Sequence, residues 1–262
     1  MKHLSERLLL ITLLASFLTV SCQFEDVNLD DTPQEYIDTL SSGAFMADGH
    51  ECVDLGLSVK WATCNVGAYS EKYIGGYYSW AETEEKSEYT RYNYRYGIIS
   101  IEEDWYITKY CADSLWGFSN FYDGKHELDP NEDVARALWQ GEWRMPTPQE
   151  QQELIEKCTW KWTVAKDARG HEMYGFVVTS NIEGYKDRFI FLPAGGYRQG
   201  TRIVGMGASG IYWSDRIHTG KETVSSLATT ISFAGGKSVD KESISLSGVN
   251  REFGASVRAV HP

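Results

Sequence analysis

The sequence predicts an α+β fold, with two short helices and a mainly antiparallel, loop-rich β region. Three observations carry that prediction. Two helix-start signatures stand close together, Asp129-Pro130-Asn131-Glu132 and Thr147-Pro148-Gln149-Glu150. From Thr159 onward the chain turns into short β-type stretches punctuated by glycine. The two kinds of element are segregated along the chain, which argues against alternating βαβ units and for antiparallel pairing.

At the N-terminus, Lys2, His3 and Arg7 precede an apolar run from Leu8 to Val20, thirteen residues long. That is well short of the roughly twenty residues a membrane-spanning helix needs, and it has the form of a signal-peptide core. The run ends in Leu18-Thr19-Val20-Ser21-Cys22, which resembles a bacterial lipobox. The resemblance implies a signal peptide over residues 1–21 and a lipid anchor on Cys22. Acyl chains at about 0.8 kcal/mol per buried CH₂ hold a protein firmly when several share one cysteine. Gln23 rather than Asp follows the cysteine, so the outer membrane is the expected destination. The acids Glu25, Asp26, Asp30 and Asp31 resemble the surface-export signals of Bacteroidota lipoproteins. Residues 22–49 lack hydrophobic periodicity and read as an acidic, flexible tether. The folded domain is expected over 50–262.

Within that domain, Cys52-Val-Asp-Leu-Gly-Leu-Ser-Val-Lys-Trp61 alternates apolar and polar residues for much of its length and reads as strands joined by a glycine turn. Tyr69 to Lys125 shows few periodic stretches and reads as irregular loop. Pro at the first helical turn and a Glu three residues after Asp129 or Thr147 predict helices over 130–139 and 148–158. Strands are predicted over 160–164, 175–179, 189–193, 211–214, 227–233, 243–247 and 255–260.

The chain has 262 residues, with 37 acids, 25 Lys and Arg, and a formal charge of −12. Residues 22–140 hold 23 acids against 8 bases, whereas 141–262 are nearly neutral with 13 against 15. This balance argues against nucleic acid, whose binding rests on basic residues neutralising phosphates, and against an anionic lipid face. Nine Trp, 16 Tyr and 10 Phe exceed what one core of this size needs, so some aromatic surface is expected to be exposed or to form grooves. Past Cys22, the cysteines Cys52, Cys64, Cys111 and Cys158 sit in a compartment that permits disulfides. Three pairings are open, as are free buried thiols. No CxxC spacing supports a zinc or redox site.

Six segments occur in order: Cys52–Ala68 (CVDLGLSVKWATCNVGA), Tyr78-Ser-Trp-Ala-Glu-Thr83, Trp143-Arg-Met-Pro-Thr147, Phe191-Leu-Pro-Ala-Gly-Gly-Tyr-Arg198, Gly210-Ile-Tyr-Trp-Ser214 and Phe253-Gly-Ala-Ser-Val-Arg258. Together they resemble the Fibrobacter succinogenes major paralogous domain family over roughly residues 51–260. The resemblance implies a C-type-lectin-like fold, shared with formylglycine-generating enzymes, in a Bacteroidota-type lipoprotein. It does not imply a single activity, since that fold hosts enzymes, glycan binders, adhesins and diversified receptor-binding proteins. On physical grounds Trp61, Trp80, Trp143 and Trp213 suit interlocking loops, and Arg144 and Arg258 suit buried tethers to loop carbonyls.

Chemistry-bearing patterns are weak. Formylglycine-generating chemistry uses a close cysteine pair late in the chain, but the last cysteine is Cys158. The histidines show no HxH, HxxxH or HExxH spacing for a metal. Gly207-Ala208-Ser209-Gly210 lacks the closing glycine of a nucleophile elbow, and Glu82, Glu84 and Glu85 read as a solvated acidic loop. Asp129-Pro-Asn131 and Trp213-Ser-Asp215 only faintly echo lectin calcium motifs. No enzyme, metal or cofactor is expected.

In lectin-like folds, long late loops form the binding face, which corresponds here to about 197–252. Its candidates are Tyr197, Arg198, Arg202, Tyr212, Trp213, Asp215, Arg216, His218, Asn250 and Arg251. Aromatic faces stack on sugars or dock protein anchors, while Arg and Asp give directional hydrogen bonds. Tyr197, Arg198 and Trp213 also suit the core; Asp215, Arg216, His218 and Arg251 are the better surface residues. The expected function is a lipid-anchored outer-membrane protein that binds a glycan or protein ligand at the cell surface. The alternatives are a retroelement-diversified receptor-binding display and a structural subunit of a surface assembly.

Overall fold

A computed structural model describes residues 36–219, 223–235 and 243–262. The signal peptide 1–21, Cys22 and the first part of the tether lie outside the described residues. Among the described residues the architecture is mostly β with mainly antiparallel sheets and two α-helices, in keeping with an α+β, loop-rich class. Among the described residues no helix is long and apolar enough to cross a membrane.

The largest sheet has five strands, in the spatial order Tyr36–Ile37, Cys158–Lys166, Glu172–Ser180, Phe189–Pro193 and Ser41–Ser42. Its central hairpin pairs Cys158 with Ser180 through to Lys166 with Glu172. The turn closes because the Asp167 carboxylate accepts from the Arg169 and His171 N–H groups, both at 2.8 Å, and Gly170 takes a positive φ of 85°. A second sheet carries Ser209–Thr219, Thr223–Ala234 and Ser245–Asn250, antiparallel throughout. The third runs Val260–His261, Lys60–Ala62, His50–Val53 and Ala44–Ala47, so the last strand pairs with an early one.

Folded structure therefore starts inside the segment read as tether. Strands at Tyr36–Ile37, Ser41–Ser42 and Ala44–Ala47 are each paired, two of them with strands more than a hundred residues later. Their sequence carries little signal because they are short and sit at sheet edges, with Phe45 and Met46 exposed. The loop-rich reading of 69–125 holds. Its described regular structure is a small hairpin, Gly97–Ile99 with Trp105–Ile107, and two 3₁₀ turns.

Both helices form, one with a different start. α1 spans Val134–Trp139 and is capped by Asp133, whose carboxylate accepts from Ala135 and Arg136 N–H. Asp129, the predicted cap, is held by Lys109 and Lys125 instead. α2 spans Pro148–Lys157 with the predicted capping box: Thr147 Oγ1 accepts from Glu150 N–H, and Glu150 accepts from Thr147 N–H at 2.8 Å.

Motif residues knit the core. The Trp80 indole donates to the Ser214 carbonyl at 2.9 Å, Trp213 to Tyr78 at 2.7 Å, and Trp143 to Ala47 at 3.0 Å. Trp61 is as deeply buried, but its indole N–H has no partner among the described residues. Arg258 is a buried tether: its guanidinium donates to the carbonyls of Ala62, Thr63 and Phe191 and to Asn65 Oδ1, all within 2.9 Å. Arg144 is half-buried, and its main partner is the carboxylate of Glu150 rather than a carbonyl. Glu82 is likewise no solvated loop acid; it is buried, pairs with Lys86 and accepts from Arg95 N–H at 2.8 Å.

Candidate functional site

The Ser209–Thr219 strand breaks register with its neighbour. Trp213 pairs with Thr230 and Ile217 with Ala228, so three residues, Ser214 to Arg216, oppose a single one, Thr229. Such a bulge re-aims side chains out of the ladder. The backbone there is held from outside the sheet: Asp215 N–H donates to the Pro146 carbonyl, Leu128 N–H donates to the Asp215 carbonyl, and Ile217 N–H donates to His126. Asp215, Arg216 and His218 are thereby wedged between the segment 126–130 and the start of α2.

Two clefts open on either side of this wedge. One, of about 360 Å³, is lined by His126, Gln149, Arg216 and His218 among others; the second, of about 310 Å³, by Glu127, Asp133, Arg144 and Asp215. Arg216 Nη2 donates to Glu127 Oε2 at 2.9 Å across the rim. Its Nε lies 3.4 Å from Asp215 Oδ1, yet the two are not aligned, and both are buried without a hydrogen-bond partner among the described residues. Asp215 is only 8% exposed, and that burial pushes its carboxyl up to about 7, against the pull of Arg216. Burial also pushes the half-buried His218 imidazole down. Its ring occupies space left by Gly248, where a Cβ atom would come within 2.7 Å of it.

Of the sequence candidates, three thus converge. Tyr212 and Trp213 are buried, and offer no stacking face. The Tyr212 hydroxyl donates to Pro193 O. Tyr197 stacks on Phe253 at 5.4 Å, Arg198 lies over the Tyr77 ring, and Arg202 pairs with Gln199 in a separate two-stranded ribbon. Asn250 pairs with Leu227 within its sheet. Arg251 corrects the expectation most sharply, being wholly buried. Its guanidinium donates to Tyr94 Oη at 3.0 Å, Ser225 O at 2.8 Å, Lys109 O at 3.0 Å and Tyr110 O at 3.2 Å, and lies 4.7 Å from the Trp80 ring. Those acceptors make it a core tether.

Two features had no reading in the sequence. Asp48, Glu142 and His261, from three distant segments, bring ligating atoms within 4.8 Å of one another. Asp48 Oδ2 already accepts from Glu142 N–H at 2.9 Å and lies 3.1 Å from His261 Nε2, so the group is internally satisfied. The other is a third, larger cleft between residues 67–75 and 167–174. The four cysteines Cys52, Cys64, Cys111 and Cys158 are free thiols, and burial raises all four, Cys52 to about 11 and Cys158 to about 12.

Compared with models of known protein families, with curated proteins and with solved structures, the chain matches none.

Proposed function

We propose that the chain is an outer-membrane lipoprotein, anchored through Cys22, whose C-type-lectin-like domain binds a glycan in the paired clefts at Asp215, Arg216 and His218. The observation that carries this reading is the pair Asp215 Oδ1 and Arg216 Nε, unpartnered among the described residues, on adjacent side chains of which Arg216 lines one cleft and Asp215 the other. A buried polar atom left unpaired costs about 1–3 kcal/mol, and a ligand that supplies both a donor and an acceptor relieves that cost. Adjacent sugar hydroxyls do so, each being donor and acceptor at once. The lectin-like reading is supported by the resemblance to the Fibrobacter major paralogous domain family. The motifs that carry it bond to one another in the core, as Trp80 does to Ser214 and Trp213 to Tyr78.

The experiment is a glycan array probed with the purified protein, followed by titration of the best ligand against Asp215→Asn and Arg216→Ala. Each variant is expected to weaken binding about tenfold or more, as loss of a charge-assisted hydrogen bond does. Absence of any bound glycan, or binding indifferent to both substitutions, overturns the proposal. Labelled fatty acid carried by the wild type and lost in Cys22→Ser tests the anchor, and protease access on intact cells tests surface exposure.

A further inference from the structure

The third cleft, of about 450 Å³, lies within the range of small-ligand sites. Two tyrosines stand on one rim with much of their surface in water, Tyr69 95% exposed and Tyr73 42%, their rings edge to face at 6.0 Å. The loop that presents them is held in place. Gly67 and Gly75 both have positive φ, and a Cβ on either would press within 2.9 Å of the facing Gly76 or Val66 backbone. Asn65 Nδ2 donates to Ile74 O at 2.6 Å, and Gly76 N–H to Val66 O at 2.9 Å. Exposed aromatic surface on such a loop is displayed by construction of the fold.

The charges around this cleft are unevenly satisfied. Asp167 is occupied by the turn it closes, and Glu172 accepts from the hydroxyls of Tyr36 and Tyr174. Among the described residues, neither Lys72 Nζ nor the Arg169 guanidinium, on facing rims, has a hydrogen-bond or ion-pair partner. Two unpaired cations beside two exposed rings, on a protein of net negative charge, call for an anion with a flat, partly apolar body. An extended acidic peptide fits less well, since the Glu172–Ser180 strand is flanked by neighbours on both sides of its sheet and offers little free edge to a further strand.

We propose that this cleft is a second binding site, taking a carboxylate-bearing sugar whose ring stacks on Tyr69 and Tyr73 and whose carboxylate is held by Lys72 and Arg169. The site is independent of the Asp215 clefts. The test is calorimetric titration of the full protein with tetragalacturonate, with its neutral methyl ester and with an oligoglutamate peptide. Tetragalacturonate is expected to bind at least about tenfold more tightly than either comparison ligand, and more weakly as salt rises. The double variant Lys72→Gln, Arg169→Gln is expected to remove the preference for the acid, Tyr73→Ala to weaken acid and ester alike, and Asp215→Asn to leave acid binding unchanged. The three substituted residues other than Asp215 are on the surface, and thermal melts of each variant confirm folding. No binding, equal binding of the ester or the peptide, or an affinity indifferent to the double variant overturns the proposal; loss with Asp215→Asn assigns the ligand to the other clefts.

Discussion

Asp215 Oδ1 and Arg216 Nε stand 3.4 Å apart in the bulge, and neither completes a hydrogen bond among the described residues. Charges this close and this dry attract, but the missing alignment leaves the carboxylate short of what burial takes from it, and its pKa rises to about 7.

A pH dependence of stability follows. A carboxyl that binds its proton more tightly when folded contributes most at low pH, and that contribution is lost as the pH rises from about 4 toward 7. Thermal melts of wild type and Asp215→Asn are expected to converge near pH 4.5. At pH 8 the Asn variant is expected to be the more stable by on the order of 1 kcal/mol, or about 2–4 °C for a domain of this size. A constant difference across that range refutes the assignment.

Arg251 separates a core role from a binding one. Arg251→Met removes the donor to the carbonyls of Lys109, Tyr110 and Ser225 and to the Tyr94 hydroxyl, which keeps its bond to the Trp80 carbonyl, and is expected to lower stability by about 3–5 kcal/mol in urea unfolding. Ligand affinity per folded molecule is expected to remain that of the wild type.

The helix starts make a matched pair. Asp133→Ala removes the cap of α1 together with the carboxylate that accepts Met145 N–H at 2.8 Å, and is expected to lose about 2 kcal/mol or more. Asp129→Ala removes only partly exposed ion pairs and is expected to lose less than about 1 kcal/mol. Equal losses in urea unfolding count against Asp133 as the cap.

Thiol titration checks the cysteines. In denaturant without reductant, Cys52, Cys64, Cys111 and Cys158 are expected to react fully with a thiol reagent; a count lower by two reveals a disulfide. In the native state Cys64, the one that is not fully buried, is expected to react first, while burial keeps the others as slow thiols.

What the sequence made legible was local. The capping box at Thr147 needs only residues three apart, and Phe189–Pro193 is an apolar run bounded by its own turns. What it hid depends on distant partners. Asp129 and Asp133 each precede apolar helix residues, and the choice between them is made by Lys109, which pairs with Asp129 from twenty residues away. Asn250-Arg251-Glu252 looks like surface because its neighbours are polar, yet its acceptors lie in residues 94, 109, 110 and 225. The exposed Tyr69 and Tyr73 belong to the aromatic surplus visible in composition, as do the exposed Tyr92 and Tyr122, though composition does not say which of 35 aromatic side chains remain in water.

The bulge at Ser214–Arg216 also separates two kinds of inheritance. Position and shape there are fixed by main-chain bonds to Pro146, Leu128 and His126, which any side chain permits. The identity of the groups at 215 and 216 is free of the ladder, so substitutions there can alter the lining of the two clefts while the scaffold stays the same.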